Sequence, residues 1–76
     1  MKEMIEIIAR ALVDEPELVF VSEVGGMHTS IQELTVAKAD IGKVIGKQGR
    51  TADALRKLLS AVSAKAKKRA LLEIVG

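Results

Sequence analysis

The stretch Ile41-Gly42-Lys43-Val44-Ile45-Gly46-Lys47-Gln48-Gly49-Arg50 places two glycines three residues apart, at Gly46 and Gly49. Because glycine lacks a Cβ atom, the backbone there can take a positive φ and approach a ligand closely. A long helical pattern follows, and the first amides of a helix are unpaired donors that carry partial positive charge. With the charges of Lys47 and Arg50 beside them, these donors favour binding of a phosphate group.

The same residues do not fit the phosphate loop of nucleotide hydrolases. That motif requires G-x-x-x-x-G-K followed by Ser or Thr. The residue five positions before Gly46 is Ile41, and Gln48 follows Lys47 without offering a hydroxyl group to Mg²⁺. A nucleotide hydrolase is therefore not expected.

Size and composition limit the possible classes of protein. The chain has 76 residues, of which 49% are hydrophobic, and it contains no cysteine. One small domain over residues 1–76 is expected, with an aliphatic core because Phe20 is the only aromatic residue. Disulfides, thiolate metal sites and thiol nucleophiles are excluded. No apolar run approaches the roughly 20 residues that span a bilayer, and early acidic residues disfavour a secretory signal, so the expected location is the cytoplasm.

Catalytic chemistry finds no support in the sequence. The single histidine, His28, lies in a predicted turn, and no pair of carboxylates or nucleophile–base set stands out. The chain is therefore expected not to be an enzyme and to need no cofactor or metal ion.

The charge is divided unevenly along the chain. Residues 1–37 carry two basic side chains against seven acidic ones, a net charge of −5. Residues 38–69 carry ten basic side chains against two acidic ones, a net charge of +8. The glycine loop lies within this basic half, which favours a polyanion as the partner over a merely solvated basic helix.

The first half of the chain predicts a helix and a hairpin. Residues 2–13 have helical spacing, and Pro16 predicts that this helix ends near Asp14. Residues 17–24 and 29–36 are typical of strands joined by a turn at 25–28. In the first strand, periodicity does not decide whether Leu18 and Phe20 or Val19 and Val21 point into the core. A buried position is the favoured interpretation of Phe20. The expected apolar stripe of the helix comprises Met4, Ile5, Ile8 and Leu12, widened by Ile7 and Ala11.

The second half predicts two helices and a strand. Asp40 is a suitable N-cap for a short helix over Ile41–Ile45. After the Gly46–Gly49 turn, a helix is expected from about Arg50 to Ala66, and residues 70–75 alternate as a last strand. Because the helices form a crossover between the last two strands, those strands are parallel if they are neighbours.

This α-β-β-α-α-β order, with the loop Val44-Ile45-Gly46-Lys47-Gln48-Gly49 and the preceding Gly42, resembles the type II, or prokaryotic, KH domain over essentially the whole chain. The closest resemblance is to small single-domain bacterial KH proteins of the KhpA type. It implies an α+β fold in which helices pack on one face of a three-stranded mixed sheet.

The resemblance also implies a function and a site. KH domains clamp about four nucleotides of single-stranded RNA, which implies here a post-transcriptional regulator or RNA chaperone linked to cell growth and shape. Gly46, Lys47, Gln48 and Gly49 would form the clamp, flanked by Lys43 and Arg50. Ile41, Val44 and Ile45 would form the wall of an apolar groove, above Leu34 and Val36.

The partners implied by the resemblance are of two kinds. One is single-stranded RNA, with single-stranded DNA as the alternative because a clamp on the backbone need not contact the 2′-hydroxyl group. The other is protein, either a second copy in a homodimer or a larger KH-containing protein of the KhpB type in a heterodimer. An alternative function follows, a protein-interaction or dimerisation module in which RNA binding is secondary.

Overall fold

The computed structural model describes residues 1–75, and Gly76, part of the expected domain, lies outside them. Over the described residues the elements follow the predicted α-β-β-α-α-β order, which confirms an α+β chain that fits the type II KH fold. Their bounds are α1 Lys2–Leu12, β1 Phe20–Gly25, β2 Thr29–Thr35, α2 Ile41–Ile45, α3 Arg50–Ala66 and β3 Arg69–Val75.

The three strands form one mixed sheet in the order β1-β2-β3. β1 and β2 are antiparallel, with Phe20 opposite Thr35 at one end and Gly25 opposite Ser30 at the other. β2 and β3 are parallel, as the crossover through α2 and α3 predicts. The hairpin turn is shorter than expected, because Gly25 belongs to β1 and the amide of Gly26 donates to the Thr29 carbonyl at 2.9 Å.

The first strand begins later than the sequence suggests. Residues 16–18 form a short 3-10 turn, in which the amide of Leu18 donates to the Glu15 carbonyl at 3.0 Å and that of Val19 to the Pro16 carbonyl at 3.1 Å. Proline fixes a φ that suits the first position of such a turn. The predicted strand over 17–24 was therefore wrong at its start.

The helices cover one face of the sheet, and the core lies between these two layers. Side chains of the strands and helices that point between the layers are buried. Leu58 on α3 and Ile7 on α1 point outward and are exposed. On α1 the stripe is centred on Ile5 and Ala9, so the predicted stripe was too wide towards Ile7. The buried core comprises Ile5, Ala9, Val13, Val19, Val21, Leu34, Val36, Val44, Leu55, Leu59 and Leu72.

The sheet register resolves the ambiguity in the first strand. Val19 and Val21 point into the core, with exposed fractions of 1% and 7%. Phe20 therefore points away from the helices and is 62% exposed, so its interpretation as a buried aromatic was wrong. No helix of the described residues packs on that side. The chain's only aromatic side chain therefore stays exposed on the outer face of the sheet.

Two neighbouring leucines of α3 test the position of the core. We expect Leu59→Ala to lower the free energy of unfolding by about 2–5 kcal/mol, since Leu59 is 1% exposed and its removal leaves a cavity. Leu58→Ala removes the same atoms from a side chain that is 46% exposed and is expected to cost about 1 kcal/mol or less. Urea unfolding monitored by circular dichroism measures both, and equal losses would contradict this packing.

Candidate nucleic-acid interface

The Gly46–Gly49 segment forms a tight turn between α2 and α3. Gly46, Gln48 and Gly49 all have positive φ values, of 79°, 57° and 75°. The amide of Gly46 donates to the Gly42 carbonyl at 2.9 Å, and the amide of Gly49 donates to the Gly46 carbonyl at 3.1 Å. The turn leaves the side chains of Lys47 and Gln48 exposed, as the sequence predicts.

The two glycines of the turn are needed for different reasons. A Cβ atom at Gly46 would collide with the side chain and the amide of Thr51, in the first turn of α3. A Cβ atom at Gly49 would meet nothing, so there the left-handed φ alone favours glycine. Gly46 therefore allows the loop to lie directly against the start of α3.

The start of α3 has no side-chain cap. The amide of Arg50, its first residue, donates to the Lys47 carbonyl within the preceding turn, whereas the next amides of a helix have no intrahelical acceptor. Lys47 and Arg50 are exposed beside these amides. The ion pairs among the described residues involve Lys2, Arg10, Lys43 and Arg56, so neither Lys47 nor Arg50 is paired with a carboxylate there.

The residues expected to line the apolar groove divide into two groups. Leu34, Val36 and Val44 are buried, so they support the surface from beneath and present no atoms to a ligand. Ile41 is half-buried, and Ile45 is 37% exposed at the end of α2, directly before the loop. No enclosed pocket is found in residues 1–75, so a ligand here would lie on an open surface.

Lys43 is occupied by carboxylates. Its Nζ lies 2.9 Å from Oδ2 of Asp14 and 3.3 Å from Oδ1 of Asp40. Hydrogen bonds to these two side chains raise the pKa of Lys43. Of the three cations expected around the loop, Lys43 is thus the one whose charge is already balanced within the chain.

Asp40 has a role that the sequence did not reveal. It lies at the N-cap position of α2, but its side chain does not cap that helix. Its carboxylate instead accepts the amides of Asp14 at 3.3 Å and Glu15 at 3.1 Å, where α1 ends. The prediction that the Asp40 side chain caps α2 was therefore wrong. Its two carboxylate oxygens are instead bound by amides 26 and 25 residues away in sequence.

The environment of Asp40 shifts its ionisation. Asp40 is only 1% exposed, and this burial opposes the charged form. The amides of Glu15 and Asp14 and the ammonium group of Lys43 outweigh burial, so that the pKa of Asp40 falls below its ordinary value of 3.8. The carboxylate therefore connects α1 to α2 as a charged group over the neutral pH range.

Other kinds of site have no basis in the described residues. Residues 1–75 contain no cluster of three or more His, Cys, Asp or Glu side chains that would hold a metal ion. None of the helices described is long and apolar enough to cross a membrane.

Comparison with known families agrees with the fold. The KH domain of the KhpA/KhpB family matches residues 2–74, which includes every helix and nearly all of the sheet. The chain belongs to the KhpA/KhpB family of KH domains. KH domains are not a family of enzymes, so this membership confirms the prediction that the chain is not an enzyme.

Similar proteins are known from several bacteria. The chain is 52% identical over 75 residues to the RNA-binding protein KhpA of Caldanaerobacter subterraneus subsp. tengcongensis, covering 99% of this chain and 100% of that protein. It is 53% identical to the RNA-binding protein KhpA of Chlamydia pneumoniae, covering 99% and 96%, and 48% identical to that of Aquifex aeolicus, covering 99% and 95%. No solved structure gives a significant match.

The acid stability of the protein tests the role of Asp40. Because its folded pKa is lowered, its contribution is fully present above the unfolded pKa and is lost as the pH falls through the folded pKa. We expect the urea concentration at the unfolding midpoint to decrease as the pH is lowered below the ordinary aspartate pKa of 3.8. Asp40→Asn should lower the midpoint at pH 7 and flatten this acid dependence.

A second aspartate provides the control for this experiment. Asp53 is exposed on α3, 3.8 Å from Arg56, and touches no amide of another element. Asp53→Asn should leave the midpoint at pH 7 nearly unchanged, within about 0.5 kcal/mol. An Asp40→Asn protein that keeps the full acid dependence would remove Asp40 as its cause.

Proposed function

We propose that this KH domain binds single-stranded RNA in the cytoplasm and clamps its backbone with the Gly46–Gly49 turn. The observation that carries the proposal is the combination of an uncapped α3 N-terminus with two unpaired cations, Lys47 and Arg50. The names of the relatives as RNA-binding proteins support RNA as the polyanion. The role proposed for the complex is that of a post-transcriptional regulator or RNA chaperone in cell growth and shape.

The geometry supports separate binding positions for the phosphates and for the bases of the RNA strand. Phosphate groups would lie against the amides at the start of α3, between Lys47 and Arg50, because both hydrogen-bond donors and positive charge converge there. Unstacked bases would then reach Ile45 and the accessible part of Ile41. Paired bases in a duplex cannot reach such a surface, so single strands are the proposed substrate.

The small size of the site predicts modest affinity for one copy. Four nucleotides give few phosphate contacts, and binding must first offset the loss of translational and rotational freedom. Two sites in one complex raise the effective concentration of the second contact. This supports assembly with a second copy or with a larger KH-containing protein of the KhpB type.

The alternative function is a protein-interaction module with secondary RNA binding. The observation that favours it is the exposed Phe20, since a large aromatic side chain on a surface is typical of interfaces. The two functions differ in the residues that they need, because Phe20 lies on the sheet and Lys47 lies on the loop.

The loop is tested by reversing its charge. We expect Lys47→Asp with Gln48→Asp to weaken binding of single-stranded RNA at least about tenfold, because a lost charge-assisted hydrogen bond costs about 1.5–3 kcal/mol. The fold should persist, since both side chains are exposed and aspartate tolerates the left-handed φ of residue 48. Filter binding and circular dichroism measure the two properties.

A charge-matched variant on α3 provides the control. Lys57→Asp with Ala61→Asp changes the net charge by the same amount at two exposed positions of the helix. RNA affinity should stay within about threefold of the original, because a charge beyond a Debye length of about 8 Å is largely screened. Equal losses in both double variants would mean that overall charge, rather than the loop, explains binding.

The salt dependence of binding distinguishes the free cations from the paired one. If Lys47 and Arg50 meet phosphates, the slope of log K against log salt should be near −1.4, at about −0.7 per contact. Arg50→Gln should reduce this slope by about 0.7, whereas Lys43→Gln should leave it unchanged because Lys43 is held by Asp14 and Asp40. A slope near zero in the original protein would favour the protein-interaction module.

A further inference from the structure

The outer face of the sheet, which no helix covers, carries exposed apolar side chains in two rows. In the first row Phe20, Thr35 and Val75 lie side by side on adjacent strands, and Phe20 and Val75 are 62% and 45% exposed. The second row consists of Val24, Ile31 and Leu71. In that row Val24 is 52% and Leu71 is 42% exposed.

An acidic row separates the two apolar rows. Ser22, Glu33 and Glu73 are paired across the three strands, halfway between them. Glu33 and Glu73 lie on adjacent strands about 4.8 Å apart, where like charges destabilise a sheet. Neither takes part in an ion pair of the described residues. Arg69, on the same face of β3, is four residues from Glu73, which is about 13 Å along the strand.

We propose that this outer face docks an amphipathic helix of a partner protein, in which apolar side chains lie one turn on either side of a lysine or arginine. Burial of the apolar rows and neutralisation of Glu33 and Glu73 would both favour the complex. The proposal extends beyond RNA binding, since the loop residues Lys47 and Arg50 take no part in it.

The dimensions of the face fit one helix. Its two apolar rows are four residues apart along the strands, about 13 Å, and its three strands span about 10 Å. A helix is about 10 Å wide, and its residues i, i+4 and i+8 rise about 6 and 12 Å. These three positions would therefore lie over the apolar, acidic and apolar rows in turn.

A second copy of this chain fits the face less well. Sheet-to-sheet stacking centred on the acidic row would bring Glu33 and Glu73 of both copies together. The basic helix α3 would complement the acidic row, but it packs on the opposite side of the sheet. Copies stacked in this way would be related head to tail, as a ring or an open chain, and would not form a two-fold dimer. The charges thus favour a basic helix from a different protein.

Synthetic helical peptides test the proposal directly. The probe is an 18-residue alanine-based helix with leucines at i and i+8 and a lysine at i+4, and its control has glutamate at i+4. Fluorescence anisotropy should show that the full-length protein binds the lysine peptide at least about tenfold more tightly. With Glu33→Gln and Glu73→Gln together, the preference should fall to about twofold or less, because no charge remains to distinguish the peptides.

Apolar variants complete the test. Phe20→Ser should weaken binding of the lysine peptide at least about fivefold, whereas Leu58→Ser, at an exposed leucine of α3, should leave it unchanged. RNA affinity should be the same in all these variants, so a negative peptide result does not bear on the Gly46–Gly49 loop. Equal binding of the two peptides, absence of binding by both, or an oligomer that Phe20→Ser converts to a monomer would overturn the proposal.

Discussion

The buried carboxylate of Asp40 is the interaction on which the position of the loop depends. It accepts two amides where α1 ends and a cation from α2, and α2 in turn ends at Gly46. Removal of its charge would leave donors at this junction without an acceptor, which costs more than the net value of the hydrogen bonds themselves. The charge that fixes α2 is thus negative, although the exposed side chains of the neighbouring Lys47 and Arg50 are positive.

The sequence was informative wherever a local rule determined the structure. A crossover through two helices requires parallel neighbours, so the pairing of β2 with β3 followed from the element order. Glycine spacing located the turn, because positive φ values are common only for glycine. The start of β1 and the direction of Phe20 were missed, since both depend on the register of the sheet rather than on the periodicity of a short segment.

The position of the Gly46–Gly49 turn was predictable from the sequence, whereas the ion pairing of the cations around it was not. Lys43, Lys47 and Arg50 look alike in sequence, yet the structure pairs only Lys43 with carboxylates. One of these, Asp14, is 29 residues away and lies on the other side of the hairpin in sequence. Contacts of such sequence separation carry no local signal, which is why Val44 also appeared as a ligand contact although it is part of the core.

The parallel pairing of β2 with β3 has a consequence for how quickly the protein folds. Thr29 pairs with Arg69 and Thr35 with Val75, so every bridge joins residues 40 apart in sequence. Closing a segment of that length costs entropy before any native contact compensates for it, which slows folding relative to a hairpin. The Gly46–Gly49 turn lies inside the closed segment. The helix α1 and the hairpin can therefore form before this segment closes, and the Gly46–Gly49 turn is expected to reach its final position late in folding.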